Sequence, residues 1–406
     1  MNRRVVVTGV GFVTPLGIGK DVFMEKLFGG ACGIRPISSF DTSRYPAKLG
    51  AEVEGFRPQD FIRPGSIRRM DRLSQMLTAA ARMALDDAGL IVDAGNRDSI
   101  GVVLGTCFGG TDVAAQYSKV LFTDSPRRAN PILVPNTVMN APAGHAAIEL
   151  GVRGINSTVN HREASAETAL SYAAAEIMRG RSEVVLTGGG DIISEFCFNV
   201  LTHFKTLSPQ DGQPEGLHPM DIRRNGMVVG EGAGIVCLES LEGALARGVT
   251  PYCEIAGWGL ASAPAAPNDY PKDPSGPCLA MTRAMDSAGI LPGDIDCLSA
   301  SANGGVRLDR LEADALLKIF SAGEARPKIT ALKGALGESF SSGGMRMAAM
   351  ALSLQKQRIV PTVGLQEPIA ELNFVDGAET SAAIRYGLIN GISSGGTFAA
   401  VIFKKI

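Results

Sequence analysis

An apolar strand running into a Gly-x-Gly turn occurs twice in this chain, as VVVTGVGFVT at 5–14 and as CEIAGWGLAS at 253–262. The segments downstream of the two copies also correspond, in the same order. IGVVLGTCFGG at 100–110 is answered by DCLSASANGG at 296–305, the Ala-rich helix at 164–179 by Met345 to Gln355, and SEVVLTGGGD at 182–191 by YGLINGISSGGT at 386–397. Four matches in one order predict an internal duplication, with halves at 1–250 and 251–406. Strands alternating with helices in each half imply parallel βαβ units with both sheet faces covered, so the predicted class is a layered α/β fold.

Between the repeats, RRMDRLSQMLTAAARMALDDAGL at 68–90 carries Leu73, Met76, Leu77, Ala80, Ala81 and Leu85 on one face and predicts a long helix that ends at Gly89. Val113 to Phe122 predicts another, and Thr187 to Asp191 reads as a glycine-rich loop after the strand Ser182 to Leu186. The first Gly-x-Gly is not a dinucleotide fingerprint, because Thr14 stands where a third glycine is needed and Pro15-Leu16-Gly17 interrupts the helix. Charged residues are 20% of the chain and the formal charge is −2, which argues against a nucleic-acid or membrane-surface protein. No stretch reaches a spanning length, and a soluble, cytoplasmic location is expected. The seven cysteines form no CxxC pair, so neither a metal site nor a disulfide framework is signalled, buried free thiols are expected, and no cofactor is implied.

The segment GINSTVNHREASAETALSYAAAEIMR, 154–179, combines a short extended stretch with a small-residue helix beginning near Ala164. Glu163 stands at the mouth of that helix, where the first free N–H groups point. By itself it reads as a first-turn acid favouring the helix dipole.

Across nearly its whole length the sequence resembles the β-ketoacyl synthases of thiolase-like fold, with an αβαβα arrangement. RRVVVTGVGFVTPLG, RRMDRLSQM and HPMDIRRNGMVVGEGAGIVCLE at 218–239 carry the likeness. The resemblance implies condensation of a cysteine-bound acyl group with a malonyl unit on an acyl carrier protein, using a helix-borne cysteine and two histidines. In this chain the cysteine position holds Glu163, the first histidine position Ser301 and the second Glu338, while Asp309, Glu312 and Lys333 still match. No histidine occurs after residue 218. Ser394 stands where a gating phenylalanine is usual.

Among the family's branches this pattern is most similar to the chain length factor, the inactive subunit that pairs with an active ketosynthase in type II polyketide or polyene systems. The implied partners are that ketosynthase and, mainly through it, an acyl carrier protein. The implied role is to shape the elongation tunnel. Phe108, Asp112, Ala115, Gln116, Phe196, Phe198 and Ser394 are candidates for its lining. Asn136 to Ala146 and Gly154 to Arg162, with Asn136 and His161, are candidates for the subunit interface. A buried Glu163 requires a partner, for which Lys333, His161 or Arg162 are candidates, and a structural ion pair is expected. Arg63, Arg68, Arg69 and Arg72 form a basic cluster, expected to be partly internal salt bridging. Two rival readings are a stand-alone malonyl decarboxylase or hydrolase using Glu163 and Glu338, and a homodimeric acyl-binding scaffold.

Overall fold

The computed structural model describes residues 3–210, 212–320 and 326–406. Ten strands matter to the site: β1 (Val5–Thr14), β2 (Ile100–Gly105), β3 (Asn156–Val159), β4 (Val184–Asp191), β5 (Gly232–Ser240), β6 (Cys253–Ser262), β7 (Cys297–Ser299), β8 (Lys328–Thr330), β9 (Tyr386–Ser393) and β10 (Thr397–Lys404). They belong to one eleven-stranded sheet in the order β8-β7-β9-β10-β6-β1-β5-β4-β2-β3, with the short strand Gly17–Ile18 paired to β1. Outward from the centre, β1-β5-β4-β2-β3 and β6-β10-β9-β7-β8 trace the same path, so the repeat in the sequence is a repeat of topology.

Eight of the helices matter to the site and the layers: α1 (Arg72–Asp87), α2 (Thr111–Thr123), α3 (Ala141–Leu150), α4 (Ser165–Met178), α5 (Glu195–His203), α6 (Ser275–Ala288), α7 (Val306–Phe320) and α8 (Gly343–Lys356). β1 and β6 pair over only three residues, Val5 to Val7 against Ile255 to Cys253. Helices α4 and α8 pack between the half-sheets, α1 and α3 lie outside the first, and α6 and α7 outside the second. The cores match these layers: Leu170, Met345, Val236 and Ile389 meet in the middle, Leu77 and Ile235 on one flank, Met281 and Leu388 on the other.

Four expectations need correction. The sheet is mixed, with β2, β3 and β4 parallel and β7, β8 and β9 parallel, but β1, β5, β6 and β10 antiparallel to their neighbours. The two Gly-x-Gly sequences are interior to strands and not turns. A Cβ at Gly9 or Gly11 would lie 2.1 or 2.0 Å from the carbonyls of Ala84 and Ala80, and one at Gly257 or Gly259 would lie 2.7 or 2.1 Å from those of Ala284 and Ala280. Each pair of glycines lets a helix, α1 or α6, seat directly on its strand. For the same reason Thr187 to Asp191 is the end of β4 and not a loop, since a Cβ at Gly188 would meet the carbonyl of Gly234 at 2.1 Å. The helix expected at 68–90 begins at Arg72, because the Asp71 carboxylate accepts from Ser74 N at 2.7 Å and caps it there.

Candidate active site

The edge strand β3 leads through His161 into a single 3-10 turn, Arg162–Ala164, before α4 begins. Arg162 has a left-handed backbone, φ 53°, and its Nη2 donates to Asn268 Oδ1 at 2.6 Å. This turn delivers Glu163 to the interior, where it is 5% exposed beneath the β9–β10 connection. Its carboxylate accepts from Ser394 N at 3.1 Å, Ser393 Oγ at 3.2 Å and Ser394 Oγ at 3.0 Å, with the Tyr270 hydroxyl at 3.4 Å. Burial pushes the Glu163 carboxyl above its ordinary value, against the pull of Arg162, and the charge of Glu338 adds to the rise. Burial and the charge of Glu163 together raise the Tyr270 phenol, which keeps it a hydroxyl donor.

Of the candidate partners of Glu163, Arg162 makes the ion pair, its Nε 3.8 Å from Glu163 Oε2, and Lys333 pairs with Glu338 instead. Lys333 Nζ donates to Glu338 Oε2 at 2.6 Å with both side chains fully buried, and Asn303 Nδ2 and Phe340 N add bonds of 2.8 Å each. Glu163 retains only Arg162 as a cation, at 3.8 Å, while His161 is exposed with its Nδ1 3.4 Å from the Thr168 hydroxyl. Ser301 is fully buried; its N–H donates to Glu312 Oε1 at 2.9 Å and its Oγ accepts from Ile392 N at 3.2 Å. Asp309 accepts from the backbone of Met220, Asn303 and Gly304, and burial pushes its carboxyl up to about 7. Glu312 also accepts from Asn390 Nδ2 at 3.0 Å, and burial raises it too.

Glu163, Ser394, Asn303, Tyr270 and Phe340 line one cavity of about 500 Å³, whose mouth carries Lys205 and Arg307. No cysteine or histidine lines it. Cys107 packs among Phe108, Phe198 and Phe340 with its thiol pushed well up by burial, His145 bonds Asn136 Oδ1 at 2.6 Å, and His218 bonds the carbonyl of Gly364. The expectation of buried thiols fails at Cys32, which is exposed, and Cys107 is half-buried. Among the described residues no group of three or more His, Cys, Asp or Glu side chains could hold a metal ion, and no helix is long and apolar enough to cross a membrane.

A second, open cleft of about 880 Å³ is lined by Asp112, Ala115, Gln116 and Phe196. Phe108 packs edge-on against Phe340 with ring centroids 4.7 Å apart, beside the wall of the Glu163 cavity. Phe198 does not join the cleft. It is 1% exposed and edge-packed by Phe40 and Tyr45, because its place on α5 turns it to the core while Phe196 faces out. Asn136 is buried and donates to the carbonyl of Arg69 at 2.8 Å. Of the basic cluster, Arg63 pairs with Glu149 and Arg72 with Glu231, leaving Arg68 and Arg69 exposed.

Sequence reasoning missed Ser393, Tyr270, Asn303 and Arg346. Arg346 is a fully buried guanidinium that bonds Glu167, Ser299 and Asn390 and ties α8 to α4 and to strands of the second half. An arginine within the apolar repeat Met345 to Leu354 was the available signal, paired with Glu167 at the equivalent depth of α4.

Two family models match, "Beta-ketoacyl synthase, N-terminal domain" over residues 2–244 and "Beta-ketoacyl synthase, C-terminal domain" over 252–366. The chain is 32% identical over 414 aligned residues to 3-oxoacyl-[acyl-carrier-protein] synthase 2 of Staphylococcus aureus, covering 100% of this chain and 99% of the relative. Among solved structures, "The ishigamide ketosynthase/chain length factor" matches with a TM-score of 0.92 at 30% identity, and a β-ketoacyl synthase from Burkholderia phymatum with 0.92 at 26%, each over 100% of both chains. With the layered fold, the repeated topology and the site in place, the chain belongs to the β-ketoacyl synthase family.

Proposed function

We propose that the chain is a ketosynthase-like subunit without condensing activity of its own, a chain length factor, which pairs with an active ketosynthase and shapes the tunnel into which that partner extends its product. One observation carries the reading. The cavity where acyl transfer would occur is lined by the Glu163 carboxylate, already engaged by hydroxyl and amide donors, and by no thiol or imidazole, while Glu338, bonded to the lining residues Asn303 and Phe340, is engaged by Lys333. A carboxylate forms only a labile anhydride with an acyl group, and the cavity lacks the two imidazoles with which the family stabilises the enolate left by decarboxylation.

The surface is consistent with a partner. β3 is the last strand of the sheet on its side, the Thr158 hydroxyl is buried without a hydrogen-bond partner, and Ile132, Val134, Val138 and Ile148 are exposed nearby in sequence or on α3, which packs on β3. The similarity to a structure titled ketosynthase/chain length factor supports the same assignment. The cleft with Asp112, Ala115, Gln116 and Phe196 is the proposed tunnel wall. The decarboxylase or hydrolase alternative is disfavoured, because Glu338 is locked against Lys333 and cannot serve as a free base beside Glu163. Co-expression with a Cys-His-His ketosynthase tests the reading. A stable heterodimer that condenses, together with an isolated chain that does not, is expected. Condensation by the isolated chain would refute it.

A further inference from the structure

The carboxylate of Glu163 is held as a bound ligand is held, by groups distant in the chain. Its oxygens meet Ser394 N, Ser393 Oγ, Ser394 Oγ and the Tyr270 hydroxyl, all between 3.0 and 3.4 Å. The backbone that carries the two serines is fixed without Glu163, and the Ser393 hydroxyl can also donate to the carbonyl of Ser394 at 3.0 Å. The Ser393–Gly396 turn is fixed by bonds from Gly396 N to the carbonyl of Ser393 at 3.1 Å and from Gly395 N to that of Asp269 at 2.8 Å. Arg162 Nε lies 3.8 Å from Glu163 Oε2 and is buried without a hydrogen-bond partner of its own, so the pocket carries a cationic group with capacity to spare. The site opens onto the cavity of about 500 Å³, whose apolar walls, Leu201, Met227, Phe340 and Leu308, suit the tail of an acyl group.

We propose that Ser393, Ser394 and Tyr270 form a binding site for a carboxyl or thioester carbonyl oxygen, and that Glu163 occupies it as an internal ligand, shutting the chain's own pocket to acyl groups. This rests on the proposed non-condensing role and extends it: the pocket is not merely short of a nucleophile but filled. An acyl chain entering the complex is thereby left to the partner's pocket.

Truncating the internal ligand should open the site to an external one. The probes are sodium acetate and sodium butyrate, titrated calorimetrically and in thermal melts against sodium chloride at equal ionic strength. Glu163→Ala and Glu163→Ser are expected to bind acetate at least about tenfold more tightly than wild type does, butyrate more tightly still, and to melt at a higher temperature when acetate is added. Adding Ser394→Ala to either should weaken binding by about tenfold or more, the worth of one charge-assisted hydrogen bond. Glu163→Gln, which still fills the site, should behave as wild type. If truncation destabilises the fold, acetate rescue of the melting temperature remains the readout. No gain in acetate affinity and no rescue in either truncation, or a gain indifferent to Ser394→Ala, would overturn the proposal. Neither result bears on pairing or condensation, which the co-expression experiment scores separately.

Discussion

A carboxyl group buried at Glu163 takes up a proton more readily in the folded chain than in the unfolded one, because burial penalises its charged form more than Arg162 relieves it. Below the ordinary value of 4.5 both states are protonated and the group contributes nothing to pH dependence. As pH rises past that value the unfolded chain ionises first, so stability falls until the raised folded value is passed. Glu163→Gln removes this titration while its amide keeps an acceptor for Ser394 N. The melting temperature of the variant relative to wild type should therefore climb as pH rises above about 4.5, and a flat difference would contradict the direction of the shift. Replacing Glu163 by Cys tests the chemistry separately. The variant is expected to accept an acyl group from an acyl thioester, visible as a mass increase on that peptide, yet to form no carbon–carbon bond, because Ser301 and Glu338 still supply no imidazole. Glu163, Ser301 and Glu338 could be singled out in the sequence through the family resemblance. Most of the contacts that hold them could not, because the hydroxyl and amide donors to Glu163 come from beyond residue 260 and Ser301 is held by Glu312 and Ile392.

Helices α4 and α8 meet through one buried ion pair, Arg346 to Glu167 at 3.0 Å, with the rest of the guanidinium spent on Ser299 and Asn390. Removing one partner leaves the other charge without compensation, so Arg346→Met should cost about 3–5 kcal/mol by denaturant unfolding, and the double variant Arg346→Met/Glu167→Leu should recover much of it. A double variant as unstable as the single one would place the cost in packing and not in charge. The glycines of the strands belong to the same scale. Local pattern reads Gly-x-Gly and Gly-Gly-Gly as turns, and the error has a single cause: the contact that demands glycine is with α1, α6 or β5, none of which a local window contains. The helices were easier to find, since the apolar face of α1 is written in its own sixteen residues, and only the cap at Asp71 shifted its start.

At the scale of the molecule the duplication makes two half-sheets with one strand path, and the two ends of the sheet then meet different fates. β8 is covered by later chain that bonds back to it, with Phe374 bridging Ile329, whereas β3 ends the sheet on its other side beside the exposed Ile148. On the proposed role, the β3 side is the surface through which the partner would dock. Ile148 is 73% exposed on α3, so a charge there costs the isolated fold little but would be buried at a partner's surface. Ile148→Glu should leave the stability of the isolated chain within about 1 kcal/mol of wild type while weakening association with the ketosynthase by at least about tenfold in equilibrium sedimentation. A bulk change in the cleft should act differently. Ala115 faces the space of about 880 Å³ shared with Asp112, Gln116 and Phe196, and a larger side chain there leaves the edge strand untouched. With Ala115→Trp the heterodimer should form normally and release shorter products, read by mass spectrometry of the released chains. Unchanged product length with the complex intact would remove that cleft from the elongation tunnel, and a dissociated complex would place Ala115 at the interface instead.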